Sequence, residues 1–174
     1  MREGFFVASP QNILLYLPPE QERQVREIFD ALEARGFPRQ NQTPHITISF
    51  SHDMAPAAVE RAAEVLPAVI PAEFQRVGTV IFGTRRKQTV AWLLETGEPM
   101  RQAVREISVL NPEDHRTDWI PHLTMGLRLP RETVPEYVAA LDEVTPRHFK
   151  ELLAHRAGFW KPVTREYRAL AGAH

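Results

Sequence analysis

Apolar and polar positions follow two rhythms along this chain, and the switches between them divide it into elements. Residues 12–17, Asn-Ile-Leu-Leu-Tyr-Leu, form an apolar run closed by Pro18-Pro19 and predict a strand. From Glu20 to about Arg35 the period lengthens to that of a helix, with Val25, Ile28, Phe29 and Leu32 on one side and Gly36-Phe37-Pro38 as the stop. A strand is predicted at 44–51, and a second amphipathic helix at 56–69. Two strands follow, at 75–82 and 88–95, joined through Gly83-Thr84-Arg85-Arg86-Lys87, whose composition suits a hairpin turn. A third helix runs from Glu98 to Val109 and is stopped by Asn111-Pro112. The remainder reads as a strand from Ile120 to Leu129, a helix at 131–143, and strands near 147–160 and 165–170. The order is β-α-β-α-β-β and then α-β-α-β-β, so one α-β-α-β-β unit occurs twice. No linker or low-complexity stretch separates the copies. The pattern predicts one compact bilobal α+β domain, residues 1–174, built of helix-backed antiparallel sheets.

The repetition extends to single residues. Pro44-His45-Ile46-Thr47-Ile48 and Pro121-His122-Leu123-Thr124-Met125 each set a histidine two positions before a threonine within an apolar, strand-like run. Side chains at i and i+2 of a strand share a face. His45 with Thr47, and His122 with Thr124, are therefore expected on polar faces whose backs carry Ile46, Ile48, Leu123 and Met125. One such triplet is more often packing than chemistry. Two copies, each entered through a proline, point to a symmetric site of two imidazoles and two hydroxyls. That is equipment for acid–base chemistry on a phosphate without a metal.

Composition narrows the partners. The chain has 174 residues, 43% of them hydrophobic and 25% charged, as in an ordinary folded domain. Its formal net charge of −1 offers no global attraction for nucleic acid, although a local cluster such as Arg85-Arg86-Lys87 can act where the average is neutral. Such a run is otherwise a solvated loop. Cysteine is absent, which excludes disulfides, zinc–thiolate sites, iron–sulfur clusters and cysteine nucleophiles. Phe5, Phe6 and Val7 precede polar residues and proline, so neither a signal-peptide core nor a membrane span is expected, and the expected location is cytoplasmic.

With two H-x-T motifs in this element order, the chain resembles the 2H phosphoesterase superfamily, and more narrowly its bacterial 2′-5′ RNA ligase and RNA 2′,3′-cyclic phosphodiesterase group. Val80-Ile81-Phe82 and Val90-Ala91-Trp92-Leu93-Leu94 are also typical of that group. The resemblance implies a pseudo-twofold, duplicated fold in which two antiparallel sheets form a central cleft, with helices outside and one motif on each wall. It nominates His45, Thr47, His122 and Thr124 as catalytic, with no metal and no cofactor. It implies His122 as the base that activates water and His45 as the acid that protonates the leaving ribose oxygen. The implied substrates are RNA ends or small nucleotides carrying cyclic or 2′-5′ phosphodiesters, handled by a monomer. Many ligase-like members carry an arginine a few residues after the second motif. Here Arg128 stands at an even offset from His122, on the histidine's face if the strand has no bulge, and is either a phosphate contact or a solvent-facing strand end.

Other candidates divide the same way. Trp160, Trp119 and Phe50 either stack on a nucleobase or pack at the core and rim. His52 lies at an odd offset from His45 and is expected in a loop, His115 is expected at the surface, and His148, His155 and His174 have no partner pattern. Two rival functions stand beside the phosphodiesterase: a non-catalytic module binding nucleotides or RNA ends, and a metallohydrolase using histidines with acids such as Asp53 and Asp114.

Overall fold

A computed structural model describes residues 9–116 and 118–172. Phe5, Phe6, Val7 and His174 lie outside the described residues. Among the described residues eight strands are present: β1 (Gln11–Tyr16), β2 (His45–Ser51), β3 (Ala72–Phe82), β4 (Lys87–Thr96), β5 (His122–Pro130), β6 (Glu151–Ala154), β7 (Arg156–Lys161) and β8 (Glu166–Ala171). Four α-helices join them: α1 (Pro19–Ala34), α2 (Pro56–Val65), α3 (Glu98–Ser108) and α4 (Val134–Val144). Each of the four carries a proline in its first turn and no side-chain cap. Proline costs nothing there, because the first amides have no partner within the helix and its fixed φ is already helical. Single turns of 3₁₀ helix extend the predicted second helix at Leu66–Ala68 and open the fourth at Arg131–Thr133.

All strands pair antiparallel in the order β6-β3-β4-β5-β2-β1-β7-β8. The two H-x-T strands lie side by side at the centre, but only Ile46 and Leu123 pair between them. The eight-stranded sheet is thus two four-stranded halves, β6-β3-β4-β5 and β2-β1-β7-β8, joined through that single pair. The α+β fold with two antiparallel halves agrees with the sequence expectation; the connectivity is richer. Residues 147–160, read as one strand, are two: β6 pairs with β3 at one edge, whereas β7 pairs with β1 in the other half. The chain crosses at His155, whose amide donates to the Tyr16 carbonyl at 2.9 Å. The β2-β1-β7-β8 half therefore combines strands from both ends of the sequence, and the β6–β7 crossover ties the two halves together covalently.

The helices cover one side. Ile46, Ile48, Leu123 and Met125, the backs of the two motifs, have no exposed surface and belong to a continuous core with Val25, Ile28, Phe29 and Leu32 of α1, Val104 and Ile107 of α3, and Tyr137 of α4. Burying side chains of this size contributes roughly 1.5–3 kcal/mol each. Helices α1 and α4 pack together, as do α2 and α3, with rim ion pairs Arg35–Glu143 and Arg61–Glu106. Exposed pairs of that kind add little beyond orientation. At the back of β5, Gly126 leaves room for the Tyr137 ring, which would lie 2.6 Å from an added Cβ. The Tyr137 hydroxyl donates to the Met125 carbonyl at 2.5 Å, and burial raises its pKa. The strand bearing the second motif is thus held from behind by both a close ring and a hydrogen bond. Among the described residues no helix is long and apolar enough to cross a membrane.

Candidate active site

The two motifs are built alike to the level of single hydrogen bonds. His45 Nδ1 lies 2.7 Å from the Thr43 carbonyl oxygen, and His122 Nδ1 lies 2.7 Å from the Ile120 carbonyl oxygen. Each ring is therefore tied to the backbone two residues upstream. A carbonyl only accepts, so Nδ1 carries the hydrogen in both rings. The lone pair or second proton of each imidazole then resides on Nε2, fixing which atom can act as base or acid. The antiparallel register through Ile46 and Leu123 directs His45 toward Thr124 and Thr47 toward His122. His45, Thr47, His122 and Thr124 are all half-buried and alternate with the fully buried backs.

Electrostatics couples the rings. Burial lowers the pKa of His45 below the ordinary histidine value, and the Thr43 carbonyl partly opposes this. Burial is also the leading cause at His122, where the charges of Arg116 and His45 lower the pKa further. The imidazoles are thus close enough for a proton on one to disfavour a proton on the other. Arg116 is itself held by Asp114, with Nε and Nη2 donating at 2.8 and 2.6 Å, and Nη2 also donates to the Ile48 carbonyl at 3.0 Å. Asp114, a metal-ligand candidate by sequence, spends its carboxylate on Arg116 and Ser49. Among the described residues no group of three His, Asp or Glu side chains converges.

The surroundings of the two rings differ. Beside His45 opens a pocket of about 480 Å³ lined by Tyr16, Tyr167, Trp160, Arg156, Gln42 and Thr43. Trp160, nominated by sequence, is brought to His45 in this pocket. The Arg156 guanidinium lies 4.4 Å from the centre of the Tyr16 ring and donates to the Tyr167 hydroxyl at 3.3 Å. The Tyr167 ring rests on Gly158, where an added Cβ would lie 2.2 Å from it. Tyr16, Tyr167 and Arg156 were not anticipated. The alternation of Arg156, Gly158 and Trp160 with buried Ala157 and Phe159 along β7 is the signal that places them on the open face. Beside His122 stands Phe82, at 4.6 Å between ring centres.

The remaining candidates sort clearly. Trp119 is buried against Phe74, and its Nε1 donates to the Thr47 carbonyl at 3.0 Å, so it holds the first motif's backbone from the core side. Phe50 is 49% exposed near the Arg116 guanidinium. His52 follows β2 and bonds Glu113, and His115 is exposed. Arg128 sits at a bulge: Thr89 alone faces Leu127 and Arg128, Arg128 takes φ of 50°, and its amide donates to Thr89 Oγ1 at 3.2 Å. The even-offset alternation from His122 is broken there and already at Met125, which is skipped between the pairs Ala91–Thr124 and Val90–Gly126. Arg128 lines a hollow with Arg85, Arg86, Lys87 and Arg131.

Comparison with known proteins agrees with this architecture. Residues 15–92, which include the first motif, match the LigT like Phosphoesterase family. No curated protein matches the chain in sequence. Usb1 from Kluyveromyces marxianus superposes with a TM-score of 0.52 at 11% identity, over 94% of this chain and 98% of that one; the same values hold for its structure with uridine monophosphate. Escherichia coli LigT in apo form superposes with a TM-score of 0.51 at 16% identity, over 95% of this chain and 99% of that one. The family match covers the first motif and is in line with the resemblance read from the paired motifs, and the solved structures share the fold along nearly the whole chain.

Proposed function

We propose that the protein hydrolyses 2′,3′-cyclic phosphates of RNA or nucleotides by two-histidine acid–base catalysis. The observation that carries this reading is the matched pair of imidazoles, each anchored through Nδ1 to a backbone carbonyl and coupled electrostatically to the other. Neutral His122 accepts a proton at Nε2 from water as the water oxygen attacks phosphorus. The ring P–O bond breaks, and the departing ribose oxygen takes the Nε2 proton of His45. Each transfer contributes roughly 10²–10⁴-fold. Thr47 and Thr124 hydroxyls donate to the non-bridging oxygens as their charge rises. With an RNA 5′-hydroxyl in place of water as the nucleophile, and the 3′-oxygen departing with the His45 proton, the same groups form a 2′-5′ linkage.

The acid and base roles are those the resemblance implies; burial and then the charge of Arg116 lower the His122 pKa, in keeping with a neutral His122 as the base. The pocket beside His45 suits a nucleobase, which stacks on aromatic faces such as Tyr16, Trp160 and Tyr167.

The direct test offers purified protein nucleoside 2′,3′-cyclic phosphates, a cyclic-phosphate-ended oligoribonucleotide and 2′-5′-linked dinucleotides, all in EDTA, and identifies the products. Ring opening to a phosphomonoester is expected. Tight binding without turnover would replace this reading with the non-catalytic module, and turnover abolished by EDTA would replace it with the metallohydrolase.

A further inference from the structure

The hollow at Arg128 lies outside the chemistry just described, and its charges are unusual for this molecule. It measures about 1040 Å³ and is lined by Arg85, Arg86, Lys87, Arg128, Pro130, Arg131 and Glu132, five cations against one acid. Elsewhere among the described residues Arg23, Arg26, Arg35, Arg61, Arg105 and Arg168 each meet a carboxylate, while Arg76, Arg101, Arg147, Lys150, Arg156 and Arg165, which make no ion pair, do not gather in one hollow. Among the described residues, none of the five in the hollow makes an ion pair within 4.0 Å. In a chain of net charge −1 they concentrate mutual repulsion in one place. An anionic partner relieves it.

The hollow is also built, and it adjoins the cleft. The turn between β3 and β4 depends on Gly83 at φ of 102°, where an added Cβ would come within 2.9 Å of the Lys87 carbonyl oxygen. Gln88 Nε2 donates to the Gly83 carbonyl, while Arg131 donates its amide to Arg86 and its guanidinium to the Thr84 carbonyl. The hairpin tip is thereby fixed to the end of β5. Phe82, immediately before the turn, is the residue whose ring meets His122 at 4.6 Å. The basic hairpin therefore springs from the wall of the catalytic cleft. Along β5, Arg128 lies six residues beyond His122, at most about 20 Å at the rise of an extended strand and less where the bulges shorten it.

We propose that Arg85, Arg86, Lys87, Arg128 and Arg131 form a docking surface for the phosphate backbone of single-stranded RNA, so that the substrate is an oligonucleotide whose cyclic end enters the cleft. The inference rests on the phosphodiesterase reading for the reacting end only. Single strands span about four or more nucleotides on comparable basic grooves. A mononucleotide fills the pocket at His45 and does not reach the hairpin.

The test compares wild type with the triple variant Arg85→Gln, Arg86→Gln, Lys87→Gln on two probes: uridine 2′,3′-cyclic phosphate, and a labelled octauridylate ending in a 3′-phosphate, measured by binding across a salt series. The mononucleotide kcat/KM is expected to stay at the wild-type value, which also reports that the variant folds. The slope of log affinity against log salt for the octamer is expected to fall by about 2, at about 0.7 per phosphate contact. An octamer that binds wild type no more tightly than a mononucleotide overturns the proposal, as does an unchanged salt slope in the variant. Tight binding of polyglutamate with no binding of the octamer overturns it in favour of an acidic protein partner. Absence of turnover by wild type would refute the phosphodiesterase reading, while the octamer slope would still decide the docking surface.

Discussion

The two walls of the cleft share a backbone plan but not a neighbourhood. On both, a histidine anchored to the carbonyl two residues before it is followed by a threonine on the same face, over an apolar back in the core. On the β2 wall the histidine adjoins a pocket of Tyr16, Trp160, Tyr167 and Arg156. On the β5 wall it meets Phe82, feels the charge of Arg116, and leads to the basic hairpin. The symmetric part supplies the reaction, which needs one proton acceptor and one donor. The asymmetric part sets on which side nucleobase and phosphate backbone lie.

The largest effect should come from breaking what the walls share. His45→Ala and His122→Ala are each expected to lower kcat by roughly 10²–10⁴-fold. The double variant should lose less than the product of the two, because the imidazoles act as a unit. Near-full activity in both single variants, with the fold intact by circular dichroism, would remove the acid–base assignment.

Next come the hydroxyls. Thr47→Val and Thr124→Val each delete one hydrogen bond to a charged oxygen, worth about 1.5–3 kcal/mol, or about 10–150-fold in kcat/KM. Similar losses in the two variants are expected from the shared plan. Loss at one threonine only would mean that the phosphate lies against one wall.

Breaking the asymmetry should be gentler. Trp160→Ala is expected to raise KM for nucleotides, by up to the 1–3 kcal/mol typical of a stacked base. It should scarcely change hydrolysis of a baseless ribose 2′,3′-cyclic phosphate. A loss of equal size on the baseless compound would identify Trp160 as a packing residue. Smallest of all, Arg116→Gln should raise the His122 pKa by removing a neighbouring positive charge. The acid limb of the rate profile then moves to higher pH, and Arg116→Lys should restore it. Movement of the alkaline limb instead would exchange the roles of the two histidines.

Much of this site was legible in sequence because strand alternation is local. A period of two puts His45 with Thr47 and His122 with Thr124 whatever the rest of the chain does, and the buried backs follow from the same rule. What escaped was long-range. A run from 147 to 160 is uniformly strand-like, so nothing local announces that β6 and β7 part at His155 for opposite halves of the sheet. Tyr16 and Arg156 meet only because of that crossover, their positions being paired across β1 and β7. The bulge at Arg128 escaped for a related reason. It is fixed by the Thr89 hydroxyl and by Gln40, whose Oε1 accepts from the Leu127 amide, both distant in sequence.

The central claim is that one proton is shared between two coupled imidazoles, and the pH dependence of kcat/KM in EDTA tests it most directly. Both pKa values lie below the ordinary histidine value of about 6.5, so the singly protonated pair of the free enzyme is most populated on the acid side of that value. The account predicts a bell in kcat/KM for a 2′,3′-cyclic nucleotide with its maximum below about 6.5, and a kcat profile displaced to higher pH by the negative charge of the bound phosphate. A profile flat from pH 5 to 9, with chemistry shown to be rate-limiting, would contradict it.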